Sequence, residues 1–414
     1  MSKGRLRWAL RHPRKALIKS LGGQFENSVI VQQPAVVPEC AAARAPGRLS
    51  PGVNIIGYLR SEIGLGQAAR NIVYAADSAR LPVSLRSLPL PQRDNDPEFA
   101  TKCNQIMDRQ TSMLVCDLPS VGALYRDMAP GRINLLYPYW ELAGIPQDWL
   151  KAARQFDEVW APSRFIASAF ADRFGKPVRL LRQPVRLPHT QPPPRKDRQE
   201  LRFFTFFDFD SFGARKNPQA AVQAFRSAFP SQRQDVELII KTRGGNDNGL
   251  RNWLQDIAAG DQRIKVIDKT LSRAAMDALM ATTDVFVSLH RSEGFGFGAA
   301  EAIAAGKVVV ATDFGGTTDF ITGETGYPID YSLIDVLEGE YVAVTGQVWA
   351  DAKQDAAVAA FRSIYDDPDE SARRTSRGFA TLKADFSCEA VGVEMKKLLR
   401  LAGSVSESDV APMA

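Results

Sequence analysis

The sequence predicts an α/β protein made of two doubly wound, parallel-sheet domains. Three observations predict this. The 414 residues exceed what one ordinary hydrophobic core organises. Strand and helix patterns alternate through residues 53–187 and again through 201–380. Between them, residues 188–200 hold a polar, Pro-rich run (PHTQPPPRKDRQ over 188–199) with the composition of an interdomain linker. A basic arm and linker (1–52) precede this body, and a last helix with a tail (381–414) follows it.

Composition narrows the class. Hydrophobic residues make up 45% and charged residues 24%, as in a soluble globular protein. No run of 18 apolar residues is present to span a membrane, and the N-terminal stretch lacks the apolar core of a signal peptide. Cys40, Cys103, Cys116 and Cys388 are scattered, which reads as free thiols in a reducing, cytoplasmic compartment. Three histidines do not suffice for a His-rich metal site. The net charge of +5 is uneven: residues 1–25 carry seven Lys/Arg and no acid, leaving 45 bases against 47 acids elsewhere. A near-neutral body argues against nucleic-acid binding. With Trp8, Leu10, Leu17, Ile18 and Leu21 interleaved, the arm suits an anionic membrane surface; Pro13 interrupts any long helix, and a merely solvated arm reads equally well.

In the first domain, Val53 to Tyr58 is a strand, followed by Gly64-Leu-Gly66-Gln-Ala-Ala69 opening a helix. On paper this matches a dinucleotide fingerprint, but the next strand (Val83 to Leu88) supplies Arg86 where a ribose-binding acid belongs. A nicotinamide reading is weakened, although Arg86 could meet a 2′-phosphate. Strands follow at Ser112 to Cys116 and Ile133 to Tyr137, then a helix (Trp149 to Phe156), a strand (Val159 to Ala161), and Ser163 as the N-cap of the next helix.

The second domain opens with the strand Leu201 to Phe207. Asp208-x-Asp210 beyond it suggests a Mg²⁺ or Mn²⁺ pair facing a diphosphate. Arg215 and Lys216 offer the alternative, a cationic pair that neutralises a departing diphosphate without metal. A helix (Gln219 to Phe229) and the strand Val236 to Lys241 come next; Lys241 is either a third cation or a surface strand end. Then come a helix (Leu250 to Ala258), a strand (Ile264 to Ile267) and a helix capped by Ser272 (to Ala281).

Residues 284–330 carry the most specific signal. Val285 to Val287 is a buried strand, the loop from His290 to Phe297 holds Glu293 among Gly294, Gly296 and Gly298, and Ala299 to Ala305 is a helix stopped by Gly306. Lys307 to Ala311 is the next strand. Glycines before a helix let backbone amides approach a phosphate, and the helix N-terminus adds positive charge. Glu293 and Glu301 would repel that phosphate, so they need another task, and a carboxylate can accept hydrogen bonds from paired sugar hydroxyls. A phosphate flanked by sugar on both sides has the form of a nucleotide-sugar.

Glu293, Gly294, Phe295, Gly296, Phe297, Glu301, Ala305, Gly306 and Val308 to Ala311 together resemble the donor signature of family 4 retaining glycosyltransferases. The resemblance implies the GT-B fold: two Rossmann-like domains facing a cleft, with a C-terminal helix (Cys388 to Leu401) crossing back to the first domain. It implies a nucleotide-diphosphate sugar donor (GDP- or UDP-linked), no metal or other cofactor, and transfer of a hexose such as mannose to a glycan or lipid-linked acceptor. It also implies a peripheral membrane enzyme of surface polysaccharide biosynthesis. Glu293 would hold the donor sugar, Glu301 the ribose, and the base would lie near Ile267 to Leu271. The amides around Gly296 to Gly298 would help the diphosphate depart, and Gly64 and Gly66 across the cleft would let the donor diphosphate or the acceptor approach closely. Lys216 falls at the family's Lys, whereas Ser211 occupies the usual Arg position and Arg215 stands in for it. The family's late N-domain His is absent from Tyr137-Pro-Tyr139-Trp140-Glu141, which leaves Glu141 to orient the acceptor hydroxyl, to contact the donor sugar, or only to pack. His290 sits at the donor-side rim, for packing or for catalysis. A non-catalytic nucleotide-sugar binder and a GT-B epimerase or phosphorylase are the competing readings.

Overall fold

The computed structural model describes residues 49–403, apart from short stretches at 91–92, 94–95, 104–105, 126–127, 129–130, 194–198 and 246. The basic arm and most of the 1–52 linker lie outside the described residues.

The first domain holds β1 (Ser50–Gly57), β2 (Val83–Ser87), β3 (Arg109–Asp117), β4 (Ile133–Tyr139), β5 (Glu158–Ala161) and β6 (Val178–Leu180), in the order β2-β1-β3-β4-β5-β6. The second holds β7 (Leu201–Asp208), β8 (Val236–Arg243), β9 (Ile264–Asp268), β10 (Val285–Ser288), β11 (Val308–Thr312) and β12 (Tyr327–Ile329), ordered β12-β11-β10-β7-β8-β9. Every pairing in both sheets is parallel. Helices cover both faces, so central strands such as Val285 to Val287 are near-continuous apolar runs. Winding reverses between β1 and β3 in one sheet and between β7 and β10 in the other. At each reversal the loops leave in opposite directions and open a crevice at the carboxyl edge, where such folds hold ligands.

Three helices bear on the site or on the way the domains join: α1 (Gly64–Ser78), α10 (Phe297–Ala304) and α13 (Cys388–Leu401), counting thirteen α-helices along the described chain. Helix α12 (Pro368–Asp385) runs through position 380 without a break, so the return to the first domain starts at Phe386 rather than at 381. There Val185 N–H donates to Phe386 O at 2.7 Å. Helix α13 then packs on α1 so closely that a Cβ at Gly392 would strike the Ala75 carbonyl.

One element was not anticipated. An antiparallel hairpin, β13 (Tyr331–Asp335) and β14 (Val348–Ala352), leaves the second domain. Its Val336 and Trp349 are buried in the hydrophobic cluster of the first domain, with Leu114, Trp140 and Leu142.

Candidate active site

The loops after β7 and β10 meet at the reversal point of the second sheet. The first carries Arg215 and Lys216 and the second Glu293, 77 residues away in sequence. Lys216 Nζ is hydrogen-bonded to Glu293 Oε1, and Arg215 Nη1 lies 3.3 Å from Oε2. All three are largely buried. Burial raises the Glu293 carboxyl, but the charges of Lys216 and Arg215 outweigh it and hold it down at about 2. The cluster of two cations and one anion has a net positive charge.

The cationic loop is strained. Phe212 (φ 63°) and Asn217 (φ 51°) adopt left-handed backbone that non-glycine residues seldom take. Tertiary contacts hold the conformation: Arg215 Nη1 donates to Ser292 O at 3.0 Å, and Asn217 Nδ2 to Leu289 O at 3.1 Å.

Each glycine expected at the phosphate proves to have its own task. Gly296 (φ 95°) is the N-cap of α10, and no side chain caps the helix there, so its first amides remain available to an anion. A Cβ at Gly298 would lie 2.8 Å from Phe286 Cζ, so this glycine serves helix–sheet packing. Gly294 sits under the first domain, where a Cβ would lie 2.8 Å from Trp140 O, and its carbonyl accepts from Ser163 Oγ at 2.6 Å. Ser163 therefore does more than cap its helix. Phe295 is 1% exposed, packed among Phe297, Phe320 and Phe386, and can offer a ligand only its backbone. Phe297 stacks at 6.2 Å on Tyr139 of the first domain.

Across the crevice, Gly66 is packed tightly by its own loop: a Cβ would strike the carbonyls of Ser61 and Tyr58. Arg70 pins that loop through Leu59 O (3.0 Å) and Ser61 O (2.9 Å). Gly64 has no atom within 4 Å of a Cβ position and faces open space. Gly64→Ala is accordingly expected to shift stability by less than about 1 kcal/mol, while weakening nucleotide binding if a ligand approaches there. Thermal melts with and without nucleotide measure both.

His290 does not stand at the rim. It is fully buried: Nε2–H donates to Phe314 O at 2.9 Å, a carbonyl that can only accept, so Nδ1 accepts from Ser288 Oγ at 2.9 Å. Burial lowers its proton affinity, and it acts as a neutral strut beneath the Glu293 loop. Glu301, on α10, is half-buried and accepts from Arg273 Nη1 at 2.8 Å. Arg273 follows Leu271, itself half-buried, in the loop after β9. Lys241 is 6% exposed; burial, then Arg243, lowers its proton affinity, against the opposing charges of Asp208 and Asp268. It shares a sheet register with Phe206 and Ile267. Asp208 is committed otherwise, accepting from Arg243 Nε at 2.8 Å and from Asp210 N–H at 3.0 Å. Asp210 meets Arg93 of the first domain at 3.3 Å.

Glu141 comes to the cluster from the end of β4. Its charge acts on both Arg215 and Lys216. Its carboxylate accepts from Tyr341 Oη at 2.5 Å, and its carbonyl from Ser292 Oγ. Sequence reasoning missed Tyr341. The alternation in Val348-Trp349-Ala350-Asp351-Ala352 was the one signal for the hairpin that presents it.

The two Rossmann-like parallel-sheet domains have the GT-B fold of the solved structures named below. Residues 211–361 match the family model described as glycosyl transferases group 1. A GDP-mannose-dependent monoacylated alpha-(1-6)-phosphatidylinositol monomannoside mannosyltransferase of Corynebacterium glutamicum is 23% identical over 275 residues, covering 63% of this chain and 66% of the relative. Sucrose-phosphate synthase from Thermosynechococcus elongatus superposes with a TM-score of 0.63 (16% identity, 86% of this chain and all of that one). Anabaena HepE, solved with UDP-glucose, gives 0.60 (16%, 85% and 100%). The pneumococcal O-GlcNAc transferase GtfA gives 0.54 (15%, 72% of this chain), and the present chain spans 58% of its length. No helix among the described residues is long and apolar enough to cross a membrane.

Proposed function

We propose that the chain is a retaining, metal-independent glycosyltransferase that moves a hexose from a nucleoside-diphosphate sugar to a glycan or lipid-linked glycan. The observation that carries this reading is the net-positive Arg215–Lys216–Glu293 cluster beside the uncapped start of α10. A diphosphate entering there takes donors from both cations and from the helix amides, and Lys241 adds a further cation close by. As the cations turn to the diphosphate, Glu293 is left to accept hydroxyls of the donor sugar. Glu301 and Arg273 meet the ribose, and the base lies against Ile267 to Leu271. The departing phosphate draws the acceptor proton, on the face where Glu141 orients the acceptor hydroxyl. The name of the corynebacterial relative supports GDP-mannose as the first donor to test, and the UDP-glucose complex of HepE supports the uridine alternative. The basic arm would hold the enzyme at the inner face of a membrane, near a surface-polysaccharide acceptor.

Thermal melting against GDP, UDP and their hexose conjugates tests the reading. The cognate nucleotide at a hundredfold over its Kd is expected to add about 3 kcal/mol, raising Tm by several degrees. Turnover then follows as nucleoside diphosphate release, and NMR of the product gives the anomeric outcome. If no nucleoside diphosphate raises Tm, the reading is wrong.

A further inference from the structure

The connection between β13 and β14 spans the crevice, and the second domain fixes one short segment of the first. Within Trp140 to Gly144, the Glu141 carbonyl accepts from Ser292 and the Glu141 carboxylate from Tyr341. Gly144 N–H donates to Gln347 Oε1 at 3.3 Å, and Gln347 Nε2 donates back to Gly144 O at 3.1 Å. Ser292, Tyr341 and Gln347 all belong to the second domain. The Tyr341 ring is wedged between Phe212 (4.9 Å) on one side and Trp140 (5.9 Å) and Trp349 (6.2 Å) on the other. Phe212 is the strained residue that opens the Arg215–Lys216 turn, and Ala343, two residues beyond Tyr341, also has a positive φ of 56°. Such conformations persist only where the surroundings over-determine them, and here they cluster around one tyrosine.

We propose that Tyr341 is a positioning residue for transfer, which sets the Glu141 carboxylate against the cationic cluster only while the hairpin clasps the two domains together. One ring thus braces the turn that carries the leaving-group cations, and its hydroxyl holds the acid on the acceptor side. The assignment rests on the glycosyl-transfer reading above. Tyr341 itself need not touch either substrate, because its effect passes through Glu141.

The test is a double-mutant cycle with Tyr341→Phe, Glu141→Gln and the double variant. The assay follows hydrolysis of GDP-mannose and UDP-glucose, water standing in for the acceptor, by release of nucleoside diphosphate. Phe keeps the ring packed on Phe212 and removes only the hydroxyl. Tyr341→Phe is expected to lower kcat about tenfold with KM for the donor within about twofold. Glu141→Gln is expected to lose at least as much, and the double variant no more than Glu141→Gln alone, because two residues acting as one unit are not additive. A purely structural tyrosine would give losses that multiply. Multiplying losses, an effect confined to KM, or wild-type kcat in Tyr341→Phe would each overturn the assignment while leaving the enzyme's function intact. A wild type that hydrolyses neither donor and whose Tm no nucleoside diphosphate raises would remove the proposed function, and this assignment with it.

Discussion

Glu293→Ala is expected to lower kcat about a hundredfold and to destabilise the fold by about 3 kcal/mol, through two distinct causes. The kinetic loss arises because hydrogen bonds to a sugar gaining positive charge count most in the transition state. The stability loss arises because Arg215 and Lys216 remain buried beside each other without their counter-charge. The pH dependence separates the two. A carboxyl held at about 2, against 4.5 ordinarily, corresponds to about 3 kcal/mol of native-state stability. The folded value is the lower one, so this contribution is complete above about pH 4.5 and disappears as pH falls toward 2. Denaturant melts across that window should show the acid-side loss in the wild type and its absence in Glu293→Ala. Glu293→Gln keeps the shape and one acceptor, and should recover part of the activity without the pH dependence. Equal acid-side slopes in wild type and Glu293→Ala would contradict the ion-pair cluster.

Gly294→Ala is expected to cost a similar factor, about a hundredfold in kcat, by another route. The added methyl would meet the Trp140 carbonyl at 2.8 Å, and backbone cannot rotate away as a side chain can. The first domain must shift by a few tenths of an ångström or more, which loosens Ser163 from Gly294 O and Ser292 from Glu141 O. Misplacement of this order costs catalysis far more than stability, because reacting groups tolerate little displacement. Each domain should retain its own core, so kcat should collapse while the melting transition moves little. An active Gly294→Ala would mean that the crevice does not depend on the contacts of Gly294 with Trp140 and Ser163.

Much of this fold is legible in the sequence because buried parallel strands announce themselves. Val285 to Val287 and Val308 to Ala311 are unbroken apolar runs, and the α10 helix between them is bracketed by its glycines. The site is only half legible. The glycine loop and its glutamates could be read from local spacing, but the pairing of Lys216 with Glu293 joins residues 77 apart and belongs to the sheet reversal alone. The tight packing at Gly66 and Gly298 could not be read in advance, because a glycine needed for chain packing and one needed for a ligand look alike in sequence. The hairpin escaped notice since its strands bury little on their own: Leu333 is 56% exposed, and Trp349 finds its neighbours in the other domain.

Helix α13 lies on α1, and Ser78 Oγ donates to Cys388 O at 2.9 Å across 310 positions of sequence. Among the described helices, the first in sequence is therefore covered by the last. Until translation reaches residue 388, the face of α1 that α13 covers has no permanent cover, whereas the 201–380 sheet can already be complete. A nonsense codon shortly before Cys388 would thus damage the beginning of the molecule rather than its end, leaving a finished second half joined to an uncovered first one.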